Sequence, residues 1–182
     1  MKKVIRQVVF VCASLFALAT LLGQNPDPLK AQARDMLNRG VLAFKDGNPQ
    51  LAADSFMQAL QFDPDLTTAE LYLGMTYASM YTPQNPEAGK KAIESLERVL
   101  QKQPTNEDAA MRLGTLLHSI DPRKARDLYL SLTKSSPQNP VAFYSLGAVD
   151  WTLAFNRTNP PPDSERLVLV DEGLQTWTLR LP

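Results

Sequence analysis

The stretch GVLAFKDGNPQLAADSFMQALQFDP, residues 40–64, decides the fold of this chain. It opens on Gly40, which is followed at fixed spacing by small, aromatic and helix-ending residues. These are Ala52, Phe56, Ala59 and Pro64. The same order starts again, at steps of 34, 40 and 33 residues, from three later glycines, which are Gly74, Gly114 and Gly147. The underlying period is therefore 34 residues, with one insertion and one deletion, and it indicates a repeat array.

The later units differ from this spacing at identifiable places. Tyr81–Pro86 adds six residues between the two predicted helices of the second unit, and the third unit lacks one turn residue before Ala125. The fourth unit opens with Leu146 and Gly147 and loses the pattern after Phe155. The sequence therefore predicts three full units and a degenerate fourth.

Each recurring residue answers a packing requirement of paired helices. Two helices approach closely only where the side chains are small, as at the glycines and alanines. A larger residue fills the remaining space, and we expect Phe56, Leu96 and Tyr129 in this role. A proline then ends each unit because it cannot continue a helix. We call the contact between the two helices of one unit the seam.

This pattern resembles the tetratricopeptide repeat (TPR) over roughly residues 31–155. Only the early tryptophan of that repeat is missing from the first unit. The resemblance implies an all-α, right-handed α-solenoid of TPR helical hairpins that binds protein partners. Residues 146–152 and the long loop after them are similar to a set of uncharacterised exported bacterial TPR proteins. The predicted units are 31–66, 67–104 with its inter-helix insertion, 105–137 and the degenerate 138–182 with a proline-rich loop.

Residues suited to helix caps mark three of the predicted helix starts. Thr67–Glu70 matches a capping box, and Thr105 with Asp108 resembles one. Asn85 precedes Pro86, which is the order of a cap residue and a proline at the first helical position. We therefore expect these side chains to cap the helices that follow them.

The amino terminus has the anatomy of a secretory signal peptide. A basic segment, Met1–Gln7, precedes an apolar run of 15 residues, Val8–Leu22, and Ala17–Ala19 offers a small-x-small cleavage site. We assign residues 1–23 to the signal peptide and residues 24–30 to a linker. An uncleaved membrane anchor is the alternative, although the run is shorter than the roughly 18 residues of a spanning helix. The leader resembles bacterial ones, so we expect export to the periplasm or cell envelope.

Composition and charge exclude several classes of function. Lys plus Arg and Asp plus Glu both total 19, and no segment carries the clustered positive charge that nucleic-acid binding requires. His118 is the only histidine, and no further ligand or nucleophile stands at a supporting spacing. We therefore expect no catalysis, no metal site and no cofactor.

In the TPR family the first helix of each unit lines a concave groove. The positions that the resemblance places there are mostly apolar, and they are Leu37, Val41, Phe44, Leu71, Met75, Ala78, Met111, Thr115, His118, Tyr144, Ala148 and Trp151. Family members that grip acidic carboxyl tails use lysine, asparagine and arginine at these places, so we expect no such clamp. For Val41 and Leu71 the alternative is packing against neighbouring helices. Phe44 and Trp151 are the predicted anchors for a protein or peptide partner, and His118 is expected to face solvent.

The carboxyl end predicts one more helix over Ser164–Arg180, although Leu167–Val170 also fits a strand. Leu167, Leu174 and Trp177 would form an exposed apolar end, open to self-association. Two functions follow from the sequence. The first is an adaptor of the cell envelope that holds a partner segment in its groove. The second is an assembly subunit that self-associates or joins a membrane complex through its convex or carboxyl-terminal surface.

Overall fold

The computed structural model describes residues 27–156 and 160–178, with side chains described as far as Leu174. These residues form eight α-helices and no β-strand, which confirms the all-α class. The helices are α1 (Pro28–Lys45), α2 (Pro49–Phe62), α3 (Thr67–Met80), α4 (Pro86–Lys102), α5 (Glu107–Ile120), α6 (Pro122–Ser135), α7 (Pro140–Ala154) and α8 (Asp163–Thr178). The predicted signal peptide and the side chain of Trp177 lie outside the described part of the chain.

The helices pair in chain order into four hairpins, α1 with α2, α3 with α4, α5 with α6 and α7 with α8. Each hairpin packs on the next one, through α2 against α3, α4 against α5 and α6 against α7. The first helices of successive hairpins also contact one another. Among the described residues, each hairpin thus touches only its sequence neighbours, which is the arrangement of an α-solenoid.

Helix α1 begins at Pro28, among residues that the sequence analysis assigned to the linker. Asp27 caps this helix, because its Oδ1 accepts a hydrogen bond from the amide of Leu29 at 3.0 Å. Pro28 follows in the first turn, where a missing amide hydrogen costs nothing.

The predicted capping box at Thr67–Glu70 is wrong. Leu66 occupies the N-cap of α3, and no side chain caps this helix. Glu70 is buried, and its Oε1 lies 3.1 Å from Nε of Arg98 on α4. The carboxylate of Glu70 therefore pairs with an arginine of another helix and does not cap the start of α3.

The other two predicted caps also differ from the structure. Asn106 caps α5 by accepting a hydrogen bond from the amide of Ala109 at 3.0 Å, so Thr105 has no capping role. Helix α4 begins at Pro86 as predicted, but the side chain of Asn85 does not cap it. Its Nδ2 donates instead to the carbonyl of Met80 at 3.1 Å, which closes the inserted turn.

The predicted seam is confirmed in the first three hairpins. Its three large side chains are buried, and each lies against the glycine of its partner helix; they are Phe56, Leu96 and Tyr129. A Cβ atom on Gly40, Gly74 or Gly114 would lie 2.5, 2.8 or 2.5 Å from the nearest atom of that side chain. These positions therefore require glycine because the two helices approach too closely for any other residue.

The connections accommodate the insertion and the deletion without breaking the array. The inserted residues of the second unit form a turn with an isolated bridge between Thr82 and Asn85. In the third unit a single residue, Asp121, separates α5 from α6. Its backbone amide donates to the carbonyl of Leu117 in α5, and its carboxylate accepts from the amide of Lys124 in α6. One residue thus ends one helix and caps the next.

Ion pairs hold the fourth hairpin to the third. Nε of Arg126 on α6 donates to Oδ1 of Asp150 on α7 at 2.7 Å, and the same guanidinium pairs with Glu172 on α8. Arg123 on α6 lies 2.7 Å from Glu165 on α8. Asp150 is 1% exposed, and this burial raises the pKa of its carboxyl above the ordinary value, while the hydrogen bond from Arg126 opposes the rise.

Candidate functional site

The first helices α1, α3, α5 and α7 form one surface, which we call the groove face. A cavity of about 650 Å³ opens on it. Its apolar lining comes from three of these helices and the inserted turn, through Phe44, Met75, Ala78, Tyr81, Met111 and Leu116. Three predicted groove residues, Phe44, Met75 and Met111, thus meet in one cavity. No sequence pattern indicated Tyr81 as a lining residue, because the insertion that contains it has no fixed place in the repeat.

Phe44 is half-buried and contributes both to this cavity and to the packing between hairpins. Its ring meets Tyr72 edge-on, with centroids 6.3 Å apart, and Tyr72 stacks on the seam residue Phe56 at 5.5 Å. These consecutive ring contacts fix the position of Phe44 at the mouth of the cavity. A ligand there would meet a preorganised aromatic edge.

Three other predicted groove residues have a different environment. Leu37, Val41 and Leu71 are half-buried and pack against the two hydrophobic core clusters. They do not line the described cavity. For Val41 and Leu71 this environment agrees with the alternative of packing between helices.

The fourth hairpin contributes an exposed aromatic stripe to the groove face. Tyr144 is 68% exposed, Trp151 is 47% exposed, and the ring centroids of Trp151 and Phe155 lie 4.3 Å apart. Val141, one turn before Tyr144, is exposed on the same helical face. Phe155 was missed as a groove residue, although its spacing of four residues from Trp151 predicts a shared face.

His118 links two helices of the groove face. Its Nε2 lies 2.9 Å from Oγ1 of Thr152 on α7, and the residue is half-buried. The expectation of a plain solvent-facing histidine is therefore wrong. The bond ties α5 to α7 beside Trp151, the neighbour of Thr152 in the chain.

Charge is sparse along the groove face. At the cavity, Nε of Arg112 donates to Oδ1 of Asp108 at 2.8 Å, so these two charges offset each other. The residues Leu37, Val41, Met75 and Met111, which were predicted to line the groove, carry no charge. Apolar contact is thus the main interaction that the groove face offers to a ligand.

A second cavity, of about 550 Å³, lies between α2, α3 and α4. It contains the buried carboxylate of Glu70 and the buried hydroxyl of Ser95, with Lys91 and Arg98 among the lining residues. Nζ of Lys91 lies 5.5 Å from the ring centroid of Tyr77. Glu70 occupies the position four residues before a repeat glycine, where the third unit has Ala110, and the sequence marked it only as part of a capping box.

The described part of the chain contains no group of three or more potential metal ligands. No helix within it has the length and apolar character required to cross a membrane.

Several solved structures share this fold at low sequence identity. A crystal structure of MamA has a TM-score of 0.63 at 18% identity, covering 89% of this chain and 85% of that chain. The first TPR domain of Spaghetti (RPAP3), bound to the HSP90 peptide SRMEEVD, has a TM-score of 0.59 at 17% identity, covering 69% of this chain and 98% of that one.

The second TPR domain of human RPAP3, in complex with the HSP70 peptide SGPTIEEVD, has a TM-score of 0.55 at 16% identity, covering 66% of this chain and 94% of that chain. No family model and no curated protein matches the sequence. The structural similarities confirm the TPR interpretation, and the chain is an all-α TPR solenoid.

Proposed function

We propose that this chain is a non-catalytic scaffold or adaptor that binds a segment of a protein partner on its groove face. The observation that carries the proposal is the apolar cavity at Phe44, Met75 and Met111, continued by the exposed Tyr144 and Trp151. Exposed aromatic side chains on a soluble protein lose contact with water when a partner covers them, and such residues tend to dominate binding energy.

The proposed partner segment is apolar, with at least one bulky side chain for the cavity and another for the aromatic stripe. TPR domains of RPAP3 have been solved with HSP90 and HSP70 peptides, which supports a peptide as the ligand class. Those two peptides end in EEVD. Leu37, Val41 and Met111 offer no cation to such an acidic end, so a different, apolar sequence is proposed here.

We place this scaffold in the periplasm or cell envelope of a bacterium. The support is the basic segment, the apolar run and the small-x-small site within residues 1–23. Mass spectrometry of protein produced in a bacterial host should find an amino terminus near residues 20–24. A chain that keeps Met1 after export would support the membrane-anchor alternative instead.

Photo-cross-linking tests which surface meets the partner. A photoreactive residue at position 151, on the groove face, should cross-link one defined protein in cells that produce the chain. The control is position 57, because Met57 lies at the second cavity, away from the groove face. Cross-links from position 57 and none from position 151 would overturn the groove proposal.

The identified segment then permits an affinity test. Trp151→Ala should weaken binding about thirtyfold, which corresponds to a loss of about 2 kcal/mol, while the melting temperature should fall less than in Phe44→Ala because the Trp151 side chain is half exposed. Phe44→Ala should weaken binding and also lower the melting temperature, since its ring packs on Tyr72. Leu42→Ala is the matched control, as Leu42 is exposed on α1 but does not line the groove cavity. Equal affinity of all three variants and the parent would sink the proposal.

The second candidate is an assembly subunit that joins copies of itself, or a membrane complex, through its convex or carboxyl-terminal surface. The observation that favours it is the pair of exposed leucines on α8, Leu167 at 71% and Leu174 at 48%. Isolated exposed leucines are common, but these two share one helix face.

A further inference from the structure

The hydrogen bonds of Thr152 determine which nitrogen of the His118 ring carries the proton. Oγ1 of Thr152 donates to the carbonyl of Ala148, one turn earlier in α7, at 2.9 Å. Because a hydroxyl has a single proton, the same oxygen then accepts in its contact with Nε2 of His118 at 2.9 Å. Both contacts are hydrogen bonds at the same time only when Nε2 carries a proton. The neutral ring is therefore the Nε2–H tautomer, in which Nδ1 is an acceptor.

This second ring nitrogen, Nδ1, makes no hydrogen bond to any described residue. The half-buried ring belongs to the helical stripe of α5 that also carries Met111 and Thr115. The hydroxyl of Thr115 is already bonded within the chain, since it donates to the carbonyl of Met111 at 2.9 Å and lies 3.3 Å from the hydroxyl of Tyr129. On this stripe, Nδ1 of His118 is thus an acceptor that a ligand can use.

The position of the ring makes this acceptor relevant to binding. Thr152 directly follows Trp151 in α7, so the bond to Thr152 holds the imidazole beside the proposed aromatic anchor. A segment that covers Trp151 also removes Nδ1 from water, and an acceptor that loses water without gaining a partner weakens binding. A segment with a donor at this place avoids that cost. A site that hydrogen-bonds one group of its ligand discriminates against ligands that lack the group.

We propose that His118 selects the partner segment by accepting, at Nδ1, a hydrogen bond from an N–H or O–H group beside the bulky side chain that covers Trp151. The proposal rests on the groove function and makes its ligand more specific, because an apolar segment without a donor at this place is bound less well. Thr152 is a positioning residue in this scheme, since it holds the ring in the tautomer that accepts.

Nuclear magnetic resonance of the imidazole nitrogens tests the tautomer in the free chain. His118 is the only histidine of the chain, so an untagged, nitrogen-labelled sample gives the signals of one ring. In a buffer in which the ring is neutral, Nε2 should give the signal of a protonated nitrogen and Nδ1 that of an unprotonated one. A ring that carries its proton on Nδ1 would overturn the proposal before any ligand is added.

Two substitutions separate selection by Nδ1 from a purely structural role of the ring. The probe is a synthetic peptide of the segment that cross-links at position 151. His118→Gln keeps an amide nitrogen at the place of Nε2 and loses the acceptor, so it should weaken binding about tenfold with an unchanged melting temperature. His118→Asn keeps an acceptor at the place of Nδ1 and loses the bond to Thr152. It should lower the melting temperature and weaken binding less than His118→Gln does.

Peptides that lack the donor complete the test. Removing the donor from the peptide should weaken binding to the parent about tenfold and should change binding to His118→Gln little, because that variant has no acceptor to lose. If His118→Gln binds every peptide as the parent does while Trp151→Ala binds them weakly, the groove function stands and selection by His118 is overturned. If no segment cross-links at position 151, or if Trp151→Ala also binds like the parent, the groove function and the selection fail together.

Discussion

The first and fourth hairpins both pack their two helices closely at the seam. The large and the small side chains of the second helix, however, occupy opposite positions in the two hairpins. In the first hairpin Ala52 lies four residues before Phe56, and the Phe56 ring covers Gly40. In the fourth hairpin Leu169 is buried four residues before Gly173. A Cβ atom on Gly173 would lie 3.5 Å from the carbonyl oxygen of Gly147. The comparison teaches that the seam requires complementary volumes, since the large and the small position can exchange places.

The two hairpins also differ in how they join their neighbours. Three residues before the seam residue, α2 has Ala53 and α4 has Ile93, both packed in the apolar core. At the same offset α6 carries Arg126, which reaches Asp150 and Glu172 in the fourth hairpin. The last junction thus replaces an apolar contact by a partly buried ion triad, and its stability depends on keeping the charges paired.

The largest expected effect comes from breaking this triad. Arg126→Met leaves Asp150 buried without its cation, which should lower the free energy of unfolding by about 3 kcal/mol in urea denaturation. The double variant Arg126→Met with Asp150→Asn removes both charges and should recover part of the loss. If the single variant costs under about 1 kcal/mol, or the double variant is less stable than the single one, the ion pair is not what joins the last hairpin.

Alanine at the two seam glycines should act in opposite directions. In Gly40→Ala the new Cβ would lie 2.5 Å from Cε1 of Phe56, so the overpacked seam should cost about 1–3 kcal/mol. In Gly173→Ala the new Cβ would meet its neighbours at 3.5 Å, an ordinary contact, and the variant should gain up to about 1 kcal/mol in helix stability. Thermal denaturation of both variants measures the contrast. A loss in Gly173→Ala as large as that in Gly40→Ala would show that the fourth seam is packed as tightly as the first.

The smallest expected effect is a dependence of stability on pH at Asp150. Burial raises the pKa of this carboxyl in the folded chain above the ordinary value of 3.8, against the opposing hydrogen bond and charge of Arg126 and with a contribution from Glu172. The folded chain therefore binds this proton more tightly than the unfolded chain does. As the pH falls through the folded pKa, the parent should gain stability relative to Asp150→Asn, and it should lose that gain as the pH rises again. Urea denaturation of both proteins at several pH values checks the sign, and a parent that loses stability relative to the variant on acidification contradicts it.

The sequence predicted the seams of the first three hairpins, because these depend on residue spacing within one hairpin. It predicted the helix caps less well. Glu70 matched a local capping rule, yet it is buried against Arg98 on the following helix. A capping motif describes a few consecutive residues, whereas a buried carboxylate and a distant arginine meet only after two helices have packed.

The candidate site was likewise predicted only in part from the sequence. The resemblance to the TPR family placed Phe44, Met75 and Met111 in the groove, and the structure brings them into one cavity. The sequence did not reveal Tyr81 or the ring contact between Trp151 and Phe155, because an insertion and a degenerate unit have no fixed place in the repeat.

The sequence by itself determined that this chain forms helical hairpins with a period of 34 residues, since glycine, bulky residues and proline act at fixed distances along the chain. Only the tertiary structure decided that Arg126 joins three helices, that His118 bonds Thr152, and that Leu167 and Leu174 stay exposed at one end. The physical reason is that these features arise between units. They depend on which side chains meet across a junction, and the repeat period leaves those positions free to vary.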